Sequence, residues 1–186
     1  KIRGAYVRMA GLSEAERVRG VVAASAGNHA QGVALAAAKL GISARIYMPR
    51  GVALPKLQAT RDHGAEVVLH GSTVDESLAE AQRWATETGA VFIPPFDDPA
   101  IIAGQGTVGL EILDALPDVD TVIMGIGGGG LIAGTAVALK EAARRRGRTV
   151  RSAHRAAGAI RPRLTGAIHV QKARPRAGSR RLGLGL

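Results

Sequence analysis

Val21-Val-Ala-Ala-Ser-Ala-Gly-Asn-His-Ala-Gln-Gly32 is the stretch on which the reading of the fold turns. Four apolar residues of strand character stop at Ser25-Ala26-Gly27-Asn28, and an alanine-rich pattern of helical period then runs over 29–40 to Gly41. A strand that turns directly into a helix aims several backbone N–H groups and one Asn side chain into a single concavity. The helix N-terminus favours an anion there. Asn is also among the best helix-capping residues, so Asn28 reads either as a cap or as a ligand contact. A second turn of this kind follows the apolar run 121–124, where Gly127, Gly128, Gly129 and Gly130 precede Leu131 and a helical pattern over 131–146. Four glycines let the backbone approach a phosphate closely, with Leu131 offering the next amide. The run from Gly125 to Gly130 also fits a dinucleotide fingerprint. That reading needs a second strand ending in an acidic residue about 20 residues on, and 150–153 supplies none.

Strands and helices alternate around these turns. Strand patterns at Val21–Ala24, Ala44–Met48, 66–70, 91–93 and 121–124 are separated by helical ones at 29–40, 56–63, Val74–Thr88 and 100–116, the last despite its glycines. Such repetition predicts an α/β protein with parallel sheets covered by helices.

The chain has 186 residues and no cysteine, which removes disulfides, thiolate chemistry and Cys-based zinc sites. Aromatics are few (two Phe, two Tyr, one Trp), so alanine and glycine fill the interior. No apolar run reaches membrane-spanning length and nothing resembles a secretory signal, which predicts a soluble cytoplasmic protein with no membrane partner. The formal charge of +10 is a property of one end. All 15 acidic residues fall before Arg144, and 13 of the 25 basic ones lie from Arg144 onward. That run lacks aromatic stacking residues and a helical register for its arginines, which argues against nucleic acid as a partner.

The signature Ser25-Ala-Gly-Asn-His-Ala-Gln-Gly32 resembles the asparagine loop of threonine dehydratases, pyridoxal-phosphate (PLP) enzymes of the tryptophan-synthase-β fold, also called fold type II. Two companions strengthen the resemblance: Lys1-Ile-Arg-Gly-Ala5, similar to the family's lysine motif, and the tetraglycine turn. The resemblance implies two three-layer α/β lobes with parallel sheets, incomplete here. Residues 1–20 and 98–146 would belong to the large PLP domain and 21–97 to the small inserted one. Residues 147–186 fall outside it, as a basic tail expected to be disordered or translated out of frame.

It also implies roles. Lys1 would be the catalytic lysine, bonding covalently to PLP and later removing the substrate Cα proton. Asn28 would hydrogen-bond the phenolic oxygen of PLP, and Gly127, Gly128, Gly129, Gly130 and Leu131 would hold its phosphate. Ser25, Ala26, Gly27, Asn28 and His29 would surround the substrate carboxylate, with His29 structural rather than titrating; no metal is implied. The reaction would be dehydration and deamination of L-threonine or L-serine to 2-oxobutanoate or pyruvate and ammonia, as in isoleucine biosynthesis, by a homo-oligomer at full length. Related racemases carry a second serine at position 26, where this chain has Ala26, which offers no proton. Sulfhydrylases and cystathionine synthases of the fold usually have Thr where His29 stands. Serine racemisation and β-replacement are therefore the alternatives within the fold, and a non-catalytic nucleotide- or nucleic-acid-binding protein is the alternative outside it.

Overall fold

Strand β1 (Val21–Ala24) is buried along its whole length, with Val21 and Ala23 in one apolar cluster and Val22 and Ala24 in another. An all-apolar strand needs cover on both faces. The computed structural model, which describes residues 1–145, 148–155 and 164–172, supplies it. Strands β2 (Ala44–Met48), β3 (Glu66–Leu69) and β4 (Val91–Phe92) join β1 in a parallel sheet of order β3-β2-β1-β4. In its register Val21 faces both Ala44 and Val91, and Arg45 faces Glu66.

Two helices cover that sheet. Helix α3 (Asn28–Leu40) packs Ala30, Val33 and Ala37 on one face, and α5 (Val74–Thr88) packs Leu78, Ala81 and Trp84 on the other. Both end at a glycine in the left-handed region, Gly41 and Gly89, where a Cβ would be disfavoured. Helix α4 (Leu54–Arg61) links β2 to β3.

The first 19 residues form two helices that were not expected from the sequence, α1 (Ile2–Ala10) and α2 (Glu14–Arg19). α2 starts with a capping box: Ser13 accepts from the Glu16 N–H, and the Glu16 carboxylate accepts from the Ser13 N–H. α1 lies against α3 and against α6 (Pro99–Ala115). The approach to α6 is close enough that a Cβ on Gly4 would sit 2.6 Å from the Ile101 carbonyl oxygen, and one on Gly104 would sit 2.6 Å from that of Arg3. The glycines that weaken α6 as an isolated helix are thus what lets it meet its neighbours.

Strand β5 (Thr121–Ile126) and helix α7 (Gly130–Arg145) complete the second lobe around Leu113, Val122, Ile132 and Leu139. Beyond them, within the run expected to be disordered or out of frame, two stretches are strands. Strands β6 (Arg148–Arg155) and β7 (Leu164–Lys172) form a sheet of order β5-β7-β6, and both of its pairings are antiparallel. The parallel sheet expected of the fold is the first one, and the second is antiparallel over its described strands. The eight residues between β6 and β7 are too few for a crossover, which takes roughly a dozen, but enough for an antiparallel return. The alternation of Leu164, Ile168 and Val170 is a strand pattern that the surrounding charge obscured. The remainder of 147–186 lies outside the described residues.

Candidate active site

The turn after β1 is held by its own backbone. Ser25 donates its N–H to Tyr47 at 3.1 Å, and the Ser25 hydroxyl accepts from the Gly27 N–H at 3.2 Å. Gly27 is the N-cap residue of α3, and no side chain caps the helix. The capping alternative for Asn28 is therefore not realised: Asn28 is the first helical residue, and its side chain is exposed. A Cβ at Gly27 would meet nothing within 4 Å, so the loop opens onto free space.

Lys1 is the N-cap residue of α1 and sits beside this turn. A Cβ at Gly32 would stand 3.0 Å from the Ile2 nitrogen and 3.2 Å from the Lys1 Cβ. The last glycine of the signature thus admits the start of α1 against α3. Lys1, Asn28, Gln31, Gly32 and His63 line a single cavity of about 280 Å³. Desolvation lowers the pKa of the Lys1 amine from its ordinary value. Ser25, Ala26 and Gly27 are half-buried and lie outside the lining of that cavity.

His29, the next residue of α3, is buried, with its Nε2 3.0 Å from the Ile93 carbonyl oxygen. Its pKa falls to about 4, chiefly through desolvation; the bond to Ile93 opposes the shift and the Lys1 charge adds to it.

The tetraglycine turn divides into two kinds of residue. A Cβ at Gly128 would overlap the Phe96 ring, and one at Gly130 would lie 2.9 Å from the Phe96 carbonyl oxygen. Gly127 and Gly129 meet nothing within 4 Å, and Gly129 has φ +85°. Gly128 and Gly130 therefore seat Phe96, while Gly127 and Gly129 border open space. Leu131 is exposed at the first turn of α7.

Phe96 and its neighbours are the functional residues that sequence reasoning missed. The segment from Ile93 to Asp98 spans from Lys1 to the glycine loop. The Lys1 Nζ donates to the Pro95 carbonyl and lies 5.8 Å from the centre of the Phe96 ring. At its far end Asp98 caps α6, its Oδ1 accepting from the N–H groups of Ala100 (2.8 Å) and Ile101 (3.0 Å), and its Oδ2 pairs with Arg8 of α1 at 3.2 Å. The Asp98-Pro99 pair is a readable helix start. The contact of Phe96 with residues 128 and 130 has no local signal. Lys1, Asn28 and His29 thus gather at one end of the first sheet's β1 and β4, and the glycine loop joins them through Phe96.

These features suit a phosphorylated aldehyde cofactor. A partly desolvated amine stands beside an Asn side chain free to bond, and two glycines border space that a Cβ would fill. Among the described residues no cluster of His, Asp and Glu could hold a metal ion, and no helix is long and apolar enough to cross a membrane.

Comparison with known proteins points to the same cofactor. A family model described as pyridoxal-phosphate dependent enzyme matches residues 1–177. An L-threonine ammonia-lyase of Thermotoga maritima is 61% identical over 140 residues, covering 75% of this chain and 35% of that protein. The catabolic L-threonine dehydratase TdcB of Escherichia coli is 56% identical over 140 residues, covering 75% and 43%. Among solved structures, the processed form of threonine deaminase isoform 2 from Solanum lycopersicum matches with TM-score 0.71 and 47% identity, covering 75% of this chain and 39% of that one. Maize serine racemase also matches with TM-score 0.71, at 38% identity, covering 76% and 43%. The chain therefore spans less than half the length of these relatives.

Proposed function

This chain belongs to the family of pyridoxal-phosphate dependent enzymes, and from that premise we propose that it carries the lysine, asparagine-loop and glycine-loop portions of an enzyme that dehydrates and deaminates L-threonine (or L-serine). The observation that carries the reading is the shared cavity of Lys1 and Asn28, joined through Phe96 to a glycine loop with two unobstructed members. The resemblance to threonine ammonia-lyases and dehydratases supports the choice of substrate.

PLP, when bound, supplies an aldehyde for covalent attachment to an amine and a ring that withdraws electrons from the substrate Cα. The chain's residues divide the remaining work. Lys1 Nζ would hold the cofactor and, as a free amine, would be placed to take the substrate Cα proton. The desolvation that lowers its pKa raises the share of neutral amine able to do so. Asn28 would orient the ring through its phenolic oxygen. Gly127, Gly128, Gly129, Gly130 and Leu131 would offer the phosphate their backbone N–H groups. The Ser25–His29 loop would receive the substrate carboxylate, with the Gly27 N–H held by the Ser25 hydroxyl. Ala26 has no proton to give from the opposite face, which favours elimination by one base over racemisation. Residues 21–97 form the small domain in this reading, with 1–20 and 98–146 in the large one. The whole enzyme is taken as a cytoplasmic homo-oligomer of amino-acid metabolism.

The test is spectroscopic. PLP added to the chain should give a near-visible absorbance band that borohydride abolishes, with the reduced cofactor mapped to the Lys1 Nζ. Lys1→Ala should remove the band and Asn28→Ala should weaken or shift it. Reduction that maps instead to Lys39, Lys56 or Lys140 would overturn the assignment.

A further inference from the structure

We infer that His29 is a positioning residue for Lys1, acting through the Ile93–Asp98 strap that its ring holds in place. The inference rests on the proposed role of Lys1. Ile93 directly follows the edge strand β4 and donates its own N–H to Val22 at 2.9 Å. The next two residues, Pro94 and Pro95, have no N–H to give. From the Ile93 carbonyl through Pro95 the strap therefore offers acceptors only, and a side chain that holds this stretch must donate.

Two side chains do so. His29 Nε2 meets the Ile93 carbonyl and Lys1 Nζ meets the Pro95 carbonyl. Because a carbonyl oxygen can only accept, the His29 proton resides on Nε2 and Nδ1 is bare. The Lys1 bond lapses whenever its nitrogen turns to another atom. His29 is then the remaining side-chain donor to the strap's carbonyls among the described residues. The strap in turn carries Phe96, whose ring fills the gap left by the missing Cβ of Gly128. Loosening Ile93 would disturb both the cover over Lys1 and the seat of the glycine loop.

The experiment compares His29→Phe and His29→Gln with the unmodified chain. Gln can place its Nε2 where the imidazole Nε2 stands, whereas Phe fills the volume without a donor. Nitrogen NMR of the unmodified chain should show the Nε2–H tautomer. His29→Phe should speed amide exchange at Phe96–Asp98 and weaken PLP binding, each roughly five- to tenfold, as the loss of one net hydrogen bond predicts. His29→Gln should restore both to within about threefold on the same scale. An Nδ1–H tautomer, unchanged strap exchange in His29→Phe, or a Gln variant no better than Phe would overturn the inference. Should the Phe variant fail to fold, the tautomer and the Gln variant still decide. Failure of PLP to attach to Lys1 in the unmodified chain would sink the cofactor-site reading instead, and the tautomer and exchange measurements would separate the two outcomes.

Discussion

Acid should destabilise this fold through His29 before it does so through any carboxylate whose pKa is shifted in the structure. The ring is buried between α3 and Ile93, and its pKa falls from 6.5 to about 4. Between those values the unfolded chain binds one more proton than the folded one, so stability rises with pH across the window. The contribution is complete above about pH 6.5 and is lost as pH falls through about 4, for a total on the order of 3 kcal/mol. By pH 5 roughly 2 kcal/mol of it should be gone. Glu16, Glu76, Glu80, Glu111 and Glu141 are all held below the ordinary 4.5 by hydrogen bonds and ion pairs, Glu141 at about 2. Their stabilisation is lost only as pH falls below about 4.5, outside the upper part of the window. Urea unfolding from pH 7.5 to 5.0 on the unmodified chain and on His29→Gln isolates the effect, because subtraction removes every other titrating group. The unmodified chain should fall by about 2 kcal/mol relative to the variant. Parallel stability–pH curves for the two would refute the reasoning.

Gly134→Ala should cost about 1–3 kcal/mol or more in urea unfolding. Its Cβ would fall on the Ile102 carbonyl oxygen and 2.7 Å from the Gly106 nitrogen, both backbone atoms, so α6 and α7 must separate. Gly125→Ala, with nothing within 4 Å, is the control and should stay within about 0.5 kcal/mol. Gly127→Ala should likewise leave stability unchanged, since its Cβ also meets nothing. It should nevertheless weaken PLP binding about tenfold or more, equivalent to about 1.4 kcal/mol; unchanged binding by fluorescence titration would remove Gly127 from the phosphate site.

What the sequence disclosed follows from the range of the interactions involved. The first lobe was legible because Val21–Ala24 and the alanine pattern of α3 record two-sided and one-sided burial within a few residues of each other. α2 is equally local, its Ser13 and Glu16 spelling a capping box. β7 was hidden by composition: net charge says which partners a segment meets, whereas pairing depends on alternation, and 164–172 alternates. The strap was not legible at all. Its meaning lies in contacts from Lys1 to Pro95 and from Phe96 to Gly128, which no window of neighbouring residues contains. The tetraglycine turn shows why that matters for assigning function. Read locally, four glycines form one phosphate cup. In three dimensions Gly128 and Gly130 must be glycine whether or not a ligand exists, because Phe96 occupies the space a Cβ would need. Only Gly127 and Gly129 are free of such a packing demand, and Gly129 has its own conformational reason in a positive φ. Of the four, Gly127 alone has neither reason to be glycine within the described chain, so the case for a bound phosphate at this turn rests most heavily on it.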